Sequence, residues 1–554
     1  MMHLLSFFRL GTGTSTRPAA WLRISTVVLG LTFSFFSSDR AEAQVLTHGP
    51  VVGGVTDTQA NVFVRTDQAA TVSLQYSTDP GFATFSVSDE HTTADVSDFT
   101  TIIPLSELSA ETTYYLRVLV NGELQNQLPP YPSFATFAPP GTARSFNFVV
   151  LTDFINVSQM DREVQTFQLA SNFSPAFVFI GGDFDHRNPG SLDDKRGMFK
   201  QLYDPNTPFM SGFVPLILQK SAIVHQWDDH DAGENNINRF YQNWNLSQQV
   251  FQEYVPSYPL PGISPAGIWQ KFSYAQVDFF VLDCRSQRDN ENDPDDANKS
   301  MLDGNNLGAT GQLQWLKDGL LASTATWKVI FTSVVTNVQT KFPDGWAGYQ
   351  TEWNDLKNFI NSNQIKGVLF ISGDLHLGAI DNGTSSGFPE MCVAQPNSRR
   401  MPYDCPTAGD GVWSEGDFQD PCSGFGVVSV LQDPDRLLLQ AVDEFGTTRV
   451  AYTLTPDPSP TPTPTPAPPI IVQQPKGAKI SVGQTATFSV YATGSPPLTY
   501  QWRKNGVNID GATGSSYVTP PATKKDNRSL FDVQVSNPAG SVLSKSVYLQ
   551  VTSI

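Results

Sequence analysis

Short apolar runs that end abruptly in acidic or imidazole side chains set the tightest limit on what this chain can fold into. Phe146-Asn147-Phe148-Val149-Val150-Leu151, Phe177-Val178-Phe179-Ile180, Lys328-Val329-Ile330-Phe331 and Gly367-Val368-Leu369-Phe370-Ile371 are each of strand length and carry apolar residues on both faces. Such runs suit the middle of a sheet covered by helices, which predicts an α/β sandwich. In α/β proteins polar groups that act on ligands gather just beyond the carboxyl ends of the strands. That rule selects few residues here: Thr152-Asp153 after the first run, Gly181-Gly182-Asp183-Phe184-Asp185-His186 after the second, Trp227-Asp228-Asp229-His230-Asp231 after Ala222-Ile223-Val224, and Gly373-Asp374-Leu375-His376 after Ile371.

Carboxylates with imidazoles are hard and borderline donors suited to Ca²⁺, Mn²⁺, Fe or Zn²⁺. Two such ions together hold a water, lower its pKa and brace an in-line attack on phosphorus. Glycine just before Asp183 and before Asp374 lets the backbone turn sharply there. An aspartate after a strand also serves as a helix cap, so Asp153 taken alone has two readings. His186 suits a surface loop as well as a ligand, and His225 suits packing.

The rest of the 554 residues divides into further units, as its length requires. From Val45 to about Phe137 short alternating runs such as Thr113-Tyr114-Tyr115-Leu116-Arg117-Val118 read as a fibronectin-III-like sandwich over residues 44–139. Alternating Thr-Pro within 456–469 is a stiff spacer that forms no core. Residues 470–554 alternate again, with Trp502 placed like an immunoglobulin core tryptophan and Val490 and Val533 where an antibody domain carries its disulfide. Residues 1–43 read as a signal peptide, with Arg9, Arg17 and Arg23 before an apolar run and Ala41-Glu42-Ala43 as cleavage site, which predicts a secreted or periplasmic protein. In that compartment Cys392, Cys405 and Cys422 supply one disulfide and Cys284 is buried in a strand. The chain has no other stretch long enough to span a membrane. A net charge of −18 works against sequence-independent attraction to nucleic acid.

Taken together, Asp153, Gly182-Asp183, Trp227-Asp228-Asp229-His230-Asp231 with Asn235-Asn236, Leu282-Asp283-Cys284-Arg285, Asp344-Gly345-Trp346 and Gly373-Asp374-Leu375-His376 occur in the order expected of the PhoD-like (alkaline phosphatase D) family. The chain resembles that family over roughly residues 45–450. The resemblance implies an αββα metallophosphoesterase core over 140–455, flanked by the two β-sandwiches, and phosphate ester hydrolysis by a metal-bound hydroxide. It implies Asp153, Asp183, Asp229, Asp374 and His376 as ligands of two metal ions, with Asp183 between them; His186 joins them on its own position. His230 would protonate the leaving alkoxide, Asn236 would bind metal or phosphate, and Arg285, oriented by Asp283, would clamp a phosphate oxygen. Asp153 and His186 stand where the best-known branch has Cys and Tyr, so the metal identities do not carry over.

Three other readings compete. Gly383-Thr384-Ser385-Ser386-Gly387 matches a nucleophile elbow but lacks the entering strand and leaving helix that motif needs. The acidic stretch from Asp289 to Asp296 lacks the spacing of a calcium loop and reads as a solvated insertion. An inactive core with β modules that bind cell-surface or extracellular material is the non-enzymatic alternative.

Overall fold

The computed structural model describes residues 44–552, apart from 126–127, 155–164, 209, 211, 262–266, 304–310, 398–406, 409–411, 420–421, 434, 457–467, 495–497 and 538. The expected signal peptide, most of the Thr-Pro spacer and Cys405 therefore lie outside the described residues. Among the described residues no helix is long and apolar enough to cross a membrane.

Two sheets face each other at the centre. The first has nine strands and runs 448–454, 436–443, 424–431, 146–151, 177–180, 222–225, 46–53, 60–66, 100–105. The second has eight and runs 270–274, 277–281, 327–331, 368–372, 389–392, 377–382, 416–419, 407–408. Strand alternation decides which residue faces where. Phe148, Val150, Phe177, Phe179 and Val224 meet Phe279, Val281, Val329, Phe331 and Ile371 in the layer between the sheets. Phe179 stacks on Phe331 with centroids 3.6 Å apart. The intervening residues Val149, Leu151, Val178, Ile180 and Ile223 point the other way, under helices Leu192–Tyr203 and Trp244–Tyr254. Phe280, Ile330, Val368 and Phe370 do the same on the far side, under helices Gln312–Ala322 and Gln350–Ser362. Runs apolar on both faces are thus used on both faces, and the core is an αββα sandwich.

The parallel register 149↔178, 180↔225 in one sheet and 331↔371 in the other brings the strand ends to one edge of the sandwich. The N-terminal strands form a sandwich, but not a free-standing one. Strands 46–53, 60–66 and 100–105 extend the nine-stranded sheet, with Gly53 paired in parallel to Ile223. Val72, Leu74, Leu116 and Val118 of its other sheet share one apolar cluster with Phe148 and Phe279. The chain boundary near 139 is therefore not a boundary in hydrogen bonding. The C-terminal unit has its own core of Phe488, Val490, Trp502, Phe531 and Val533, so the two valines pack together where a disulfide would stand. Cys284 is buried and free just past strand 277–281 rather than in it, Cys392 is also free, and Cys422 is disulfide-bonded.

Asp98 ties the N-terminal strands to the helices. Its carboxylate accepts from Arg65 at 3.1 Å, from Lys200 at 3.0 Å and from the Tyr254 hydroxyl. Burial pushes this carboxyl up, but the hydrogen bonds from Arg65, Tyr254 and Lys200 outweigh it and pull it down to about 2. The stabilisation is complete above the ordinary value of 3.8 and is lost as pH falls through about 2. Asn keeps the shape and tolerates the left-handed backbone at this position (φ 50°). Asp98→Asn is expected to cost about 2 kcal/mol at pH 7. In denaturant titrations that difference from wild type should shrink below pH 4 and vanish near pH 2.

Candidate metal centre

Three of the four strand ends deliver their side chains through a strained turn, and the segment after the fourth contains one at Asn236. Asp153, Asp183, Asn236, Asp374 and His376 all lie in the left-handed region, with φ between 51° and 66°. Such positions cost about 1–3 kcal/mol each for non-glycine residues and persist only where the surroundings hold them. The surroundings are tight. At Gly182 (φ +93°) a Cβ would sit 2.6 Å from the Asp228 nitrogen, and at Gly373 it would meet Thr152 Oγ1 at 2.4 Å. Gly182 thus lets the ends of neighbouring strands 177–180 and 222–225 close up, and Gly373 does the same between the two sheets.

Two groups of donors result. Asp183, Asp228, Asp229 and Asp374 present oxygens within 4.8 Å of one another, and Asp183, His186 and His230 form a second group on the same criterion. Asp183 belongs to both. Its Oδ1 also accepts from the His230 amide at 3.1 Å, and its own amide donates to Asp231 at 2.9 Å. Asp229 accepts from the amides of His230 and Asn236. Asp153 stands beside the first group, with its carboxylate taking the Asp374 amide at 3.0 and 3.2 Å. The His376 ring lies 5.3 Å from that of His186, and its Nδ1 is 2.9 Å from Gln395 Oε1.

His186 is set up as a donor. Its Nδ1 faces the Phe154 carbonyl at 2.9 Å, and a carbonyl only accepts, so the neutral ring carries its proton there and its lone pair on Nε2. That Nε2 is buried without a hydrogen-bond partner, 3.7 Å from Asp183 Oδ2. Burial first, then His230 and His376, lowers the ring to about 4 and keeps it neutral at pH 7. Asp374 Oδ2 is likewise buried and unpartnered. Bare donor atoms of both kinds, aimed into a carboxylate cluster, fit metal binding.

The charge balance points the same way. Asp153, Asp183, Asp228, Asp229, Asp231, Asp344 and Asp374 are all buried, and with every carboxyl ionised these seven aspartates against Arg285, Arg288 and Lys341 would leave four negative charges in excess. Burial pushes Asp183 and Asp374 well above the ordinary range, Asp183 with help from Asp229 and Asp374 from Asp344. Asp153 is raised to about 6, again chiefly by burial. Asp229 goes the other way, because Arg285 and His230 more than offset its burial.

Arg285 does not stand where a phosphate clamp would. It is fully buried, with Nη2 2.8 Å from Asp228, Nη1 2.7 Å from Asp344, and Asp229 and Asp374 at 3.4 and 3.5 Å. Amid so many carboxylates a guanidinium is consumed by them. Asp283 orients the loop rather than that guanidinium, accepting from Trp227 Nε1 and the amides of Ile268, Arg285 and Ser286. Arg288 is also fully buried and shares Asp344 with Arg285. Asn236 is half-buried, and its backbone amide donates to Asp229. Asp228 and Asp344 were read from the sequence only as parts of motifs, without a role, and Lys341 was not read at all. Adjacency to Asp229 was the available signal for the first, and the Asp-Gly-Trp motif for the second.

His225 packs, as its position suggested, against Phe184, Phe199 and Phe251. Ser385 sits in the turn of a hairpin between strands 377–382 and 389–392, with its amide bound to Asp381, so no helix leaves it as a nucleophile elbow requires. The acidic stretch from Asp289 to Asp296 is exposed over most of its length but anchored: the Lys299 ammonium takes its centre, donating to the carbonyls of Glu291, Asp293 and Gly348 at 2.8, 3.0 and 2.8 Å.

Comparison with known proteins agrees with this geometry. Residues 209–398 match the PhoD-like phosphatase family model, 468–537 match an immunoglobulin domain, and 43–137 match a domain of unknown function, DUF7800. Alkaline phosphatase D of Bacillus subtilis is 28% identical over 185 residues, 29% of this chain and 32% of that protein, so the match spans about a third of the relative. A solved structure of PhoD superposes with a TM-score of 0.59 at 19% identity, covering 73% of this chain and 89% of that one, which shows a shared fold. Endoglucanase C of Cellulomonas fimi is 34% identical over 87 residues, 15% of this chain and 8% of that protein.

Since Asp183 lies in both donor groups, Asp183→Asn is expected to weaken metal retention by about 100-fold or more, read by elemental analysis after gel filtration. Chelator-stripped wild type should lose stability as pH rises from about 5 to 8. Its raised carboxyls are neutral at the lower end and must ionise against one another at the upper end, so melts at the two pH values test the sign.

Proposed function

We propose that this chain, which carries a PhoD-like phosphatase domain and an immunoglobulin-like domain, is an exported phosphoric ester hydrolase that works with two bound metal ions. The observation that carries the reading is the convergence of Asp183, Asp228, Asp229, Asp374, His186 and His230 on one place at the strand ends. Two divalent cations would cancel the four excess negative charges of the buried aspartates. Among Ca, Fe, Mn and Zn, the mixture of carboxylates with imidazoles accommodates each.

When bound, such ions supply Lewis-acid polarisation of the phosphoryl group and a nucleophile at neutral pH. The chain's own residues do the rest. Asp183 spans the two donor groups, while His186 offers Nε2 in a fixed tautomer. Asp228 and Asp344 are held in place by Arg285, whose burial keeps it from reaching substrate. His230 stands at the open side of the site, half-buried, with Nδ1 against Asn188 Oδ1, where its ring can hand a proton to a departing alkoxide. Asn236, whose amide holds Asp229, would bind metal or phosphate. Substrates are phosphate monoesters or diesters, and export follows from the leader read in residues 1–43.

The test is turnover of an aryl phosphate and a bis-aryl phosphate by metal-reconstituted protein. Activity on at least one is expected, with loss on chelation and recovery on metal return. His230→Ala should lower kcat by about 10²–10⁴-fold, less for substrates whose leaving group needs no proton. Inactivity of the reconstituted protein on both substrates would overturn the reading.

A further inference from the structure

The loop between strand Trp327–Phe331 and helix Gln350–Ser362 has two working faces. It is closed on itself by Trp346 N to Val335 O at 3.1 Å, Gly345 N to Lys341 O at 2.8 Å and Thr340 Oγ1 to Asn337 O at 2.9 Å. Inward, Asp344 takes both buried arginines, and the Lys341 ammonium lies 3.0 Å from Asp374 Oδ1 and 2.9 Å from the Asp374 carbonyl. Outward, it presents the Phe342 ring and the Val338 carbonyl to the immunoglobulin-like unit. There Tyr491 stacks on Phe342, with centroids 3.9 Å apart and planes 7° from parallel, and its hydroxyl donates to Val338 O. Tyr491 is only 4% exposed.

Lys341 sits between those two anchor points, in a left-handed conformation with φ 47°. A lysine gains nothing intrinsic from that backbone, so neighbours must hold it there. It also differs from the other cations of the centre. Arg285 and Arg288 are fully buried, whereas the Lys341 side chain is 31% exposed. A phosphate oxygen entering the site can meet it without unmaking the core. Covalent attachment to the core keeps the immunoglobulin-like unit at high local concentration, so a small contact suffices to hold it.

We propose that the immunoglobulin-like unit braces this loop through Tyr491, and that the brace positions the Lys341 ammonium to bind the substrate's phosphate oxygen. Tyr491 is a positioning residue, acting through Val338 and Phe342; Lys341 is the residue that touches substrate. The second half of the statement rests on the phosphoester reading above.

The experiment uses full-length, metal-reconstituted chains: wild type, Tyr491→Ala, Tyr491→Phe, Lys341→Met, and Tyr491→Ala combined with Lys341→Met. Steady-state kinetics on an aryl phosphate are paired with amide exchange over residues 338–345. Tyr491→Ala is expected to raise KM about 3–10-fold with kcat within about two-fold of wild type, to speed exchange in 338–345, and to have no further effect on KM once Lys341 is Met. Tyr491→Phe keeps the stack and should show part of the same change, which also serves if Tyr491→Ala does not fold. An unchanged KM in Tyr491→Ala, or an equal KM penalty with and without Lys341, overturns the proposal. If wild type turns over no phosphate ester, the functional reading falls, and exchange over 338–345 then decides the brace: faster in Tyr491→Ala supports it, unchanged overturns it.

Discussion

Mutual repulsion among buried carboxylates is the constraint around which this molecule is arranged. Seven aspartates share one water-poor volume, and in such a medium like charges are costly enough that several would otherwise take up protons. Everything nearby answers that cost. Arg285 is sunk between Asp228 and Asp344, Arg288 is sunk against Asp344, amides of His230, Asn236 and Asp374 turn toward carboxylate oxygens, and left-handed turns aim several of the side chains inward. What remains uncompensated is a deficit of positive charge next to bare donor atoms, and that deficit is the chemical character of the site.

The flanking β units are tied to this centre more closely than a string of modules would be. The N-terminal strands continue the core sheet beyond strand 222–225, so the sheet that aims Asp183 and Asp229 has no free edge on that side until strand 100–105. The C-terminal unit reaches the centre differently, with Tyr491 stacked against the loop that bears Lys341 and Asp344. One unit contributes through backbone hydrogen bonds and a shared apolar layer, the other through a local contact on a tether.

Much of the fold and part of the site were legible beforehand, for identifiable reasons. Val149 and Val150 could be read as facing opposite layers because period two is a property of the strand itself. Asp183 and Asp374 stood out because each follows a glycine at the end of an apolar run. Asp344 and Lys341 did not, since their roles depend on a loop that folds back across more than thirty residues to meet Asp374. Arg285 was found but given the wrong task. A motif shows that an arginine is near a phosphate site, whereas only the count of surrounding carboxylates shows that its donors are already taken.

The sequence alone determined the sandwich, the separate core of the last unit and the strand ends that carry the acidic and imidazole side chains, because these follow from periodicity, turn residues and short-range order along the chain. Only the tertiary structure decided which carboxylates oppose one another, which cation stays reachable, and that the last unit touches the loop that bears Lys341 and Asp344. Those are distances between groups far apart in sequence, fixed by how two sheets stack rather than by any local preference of the residues concerned.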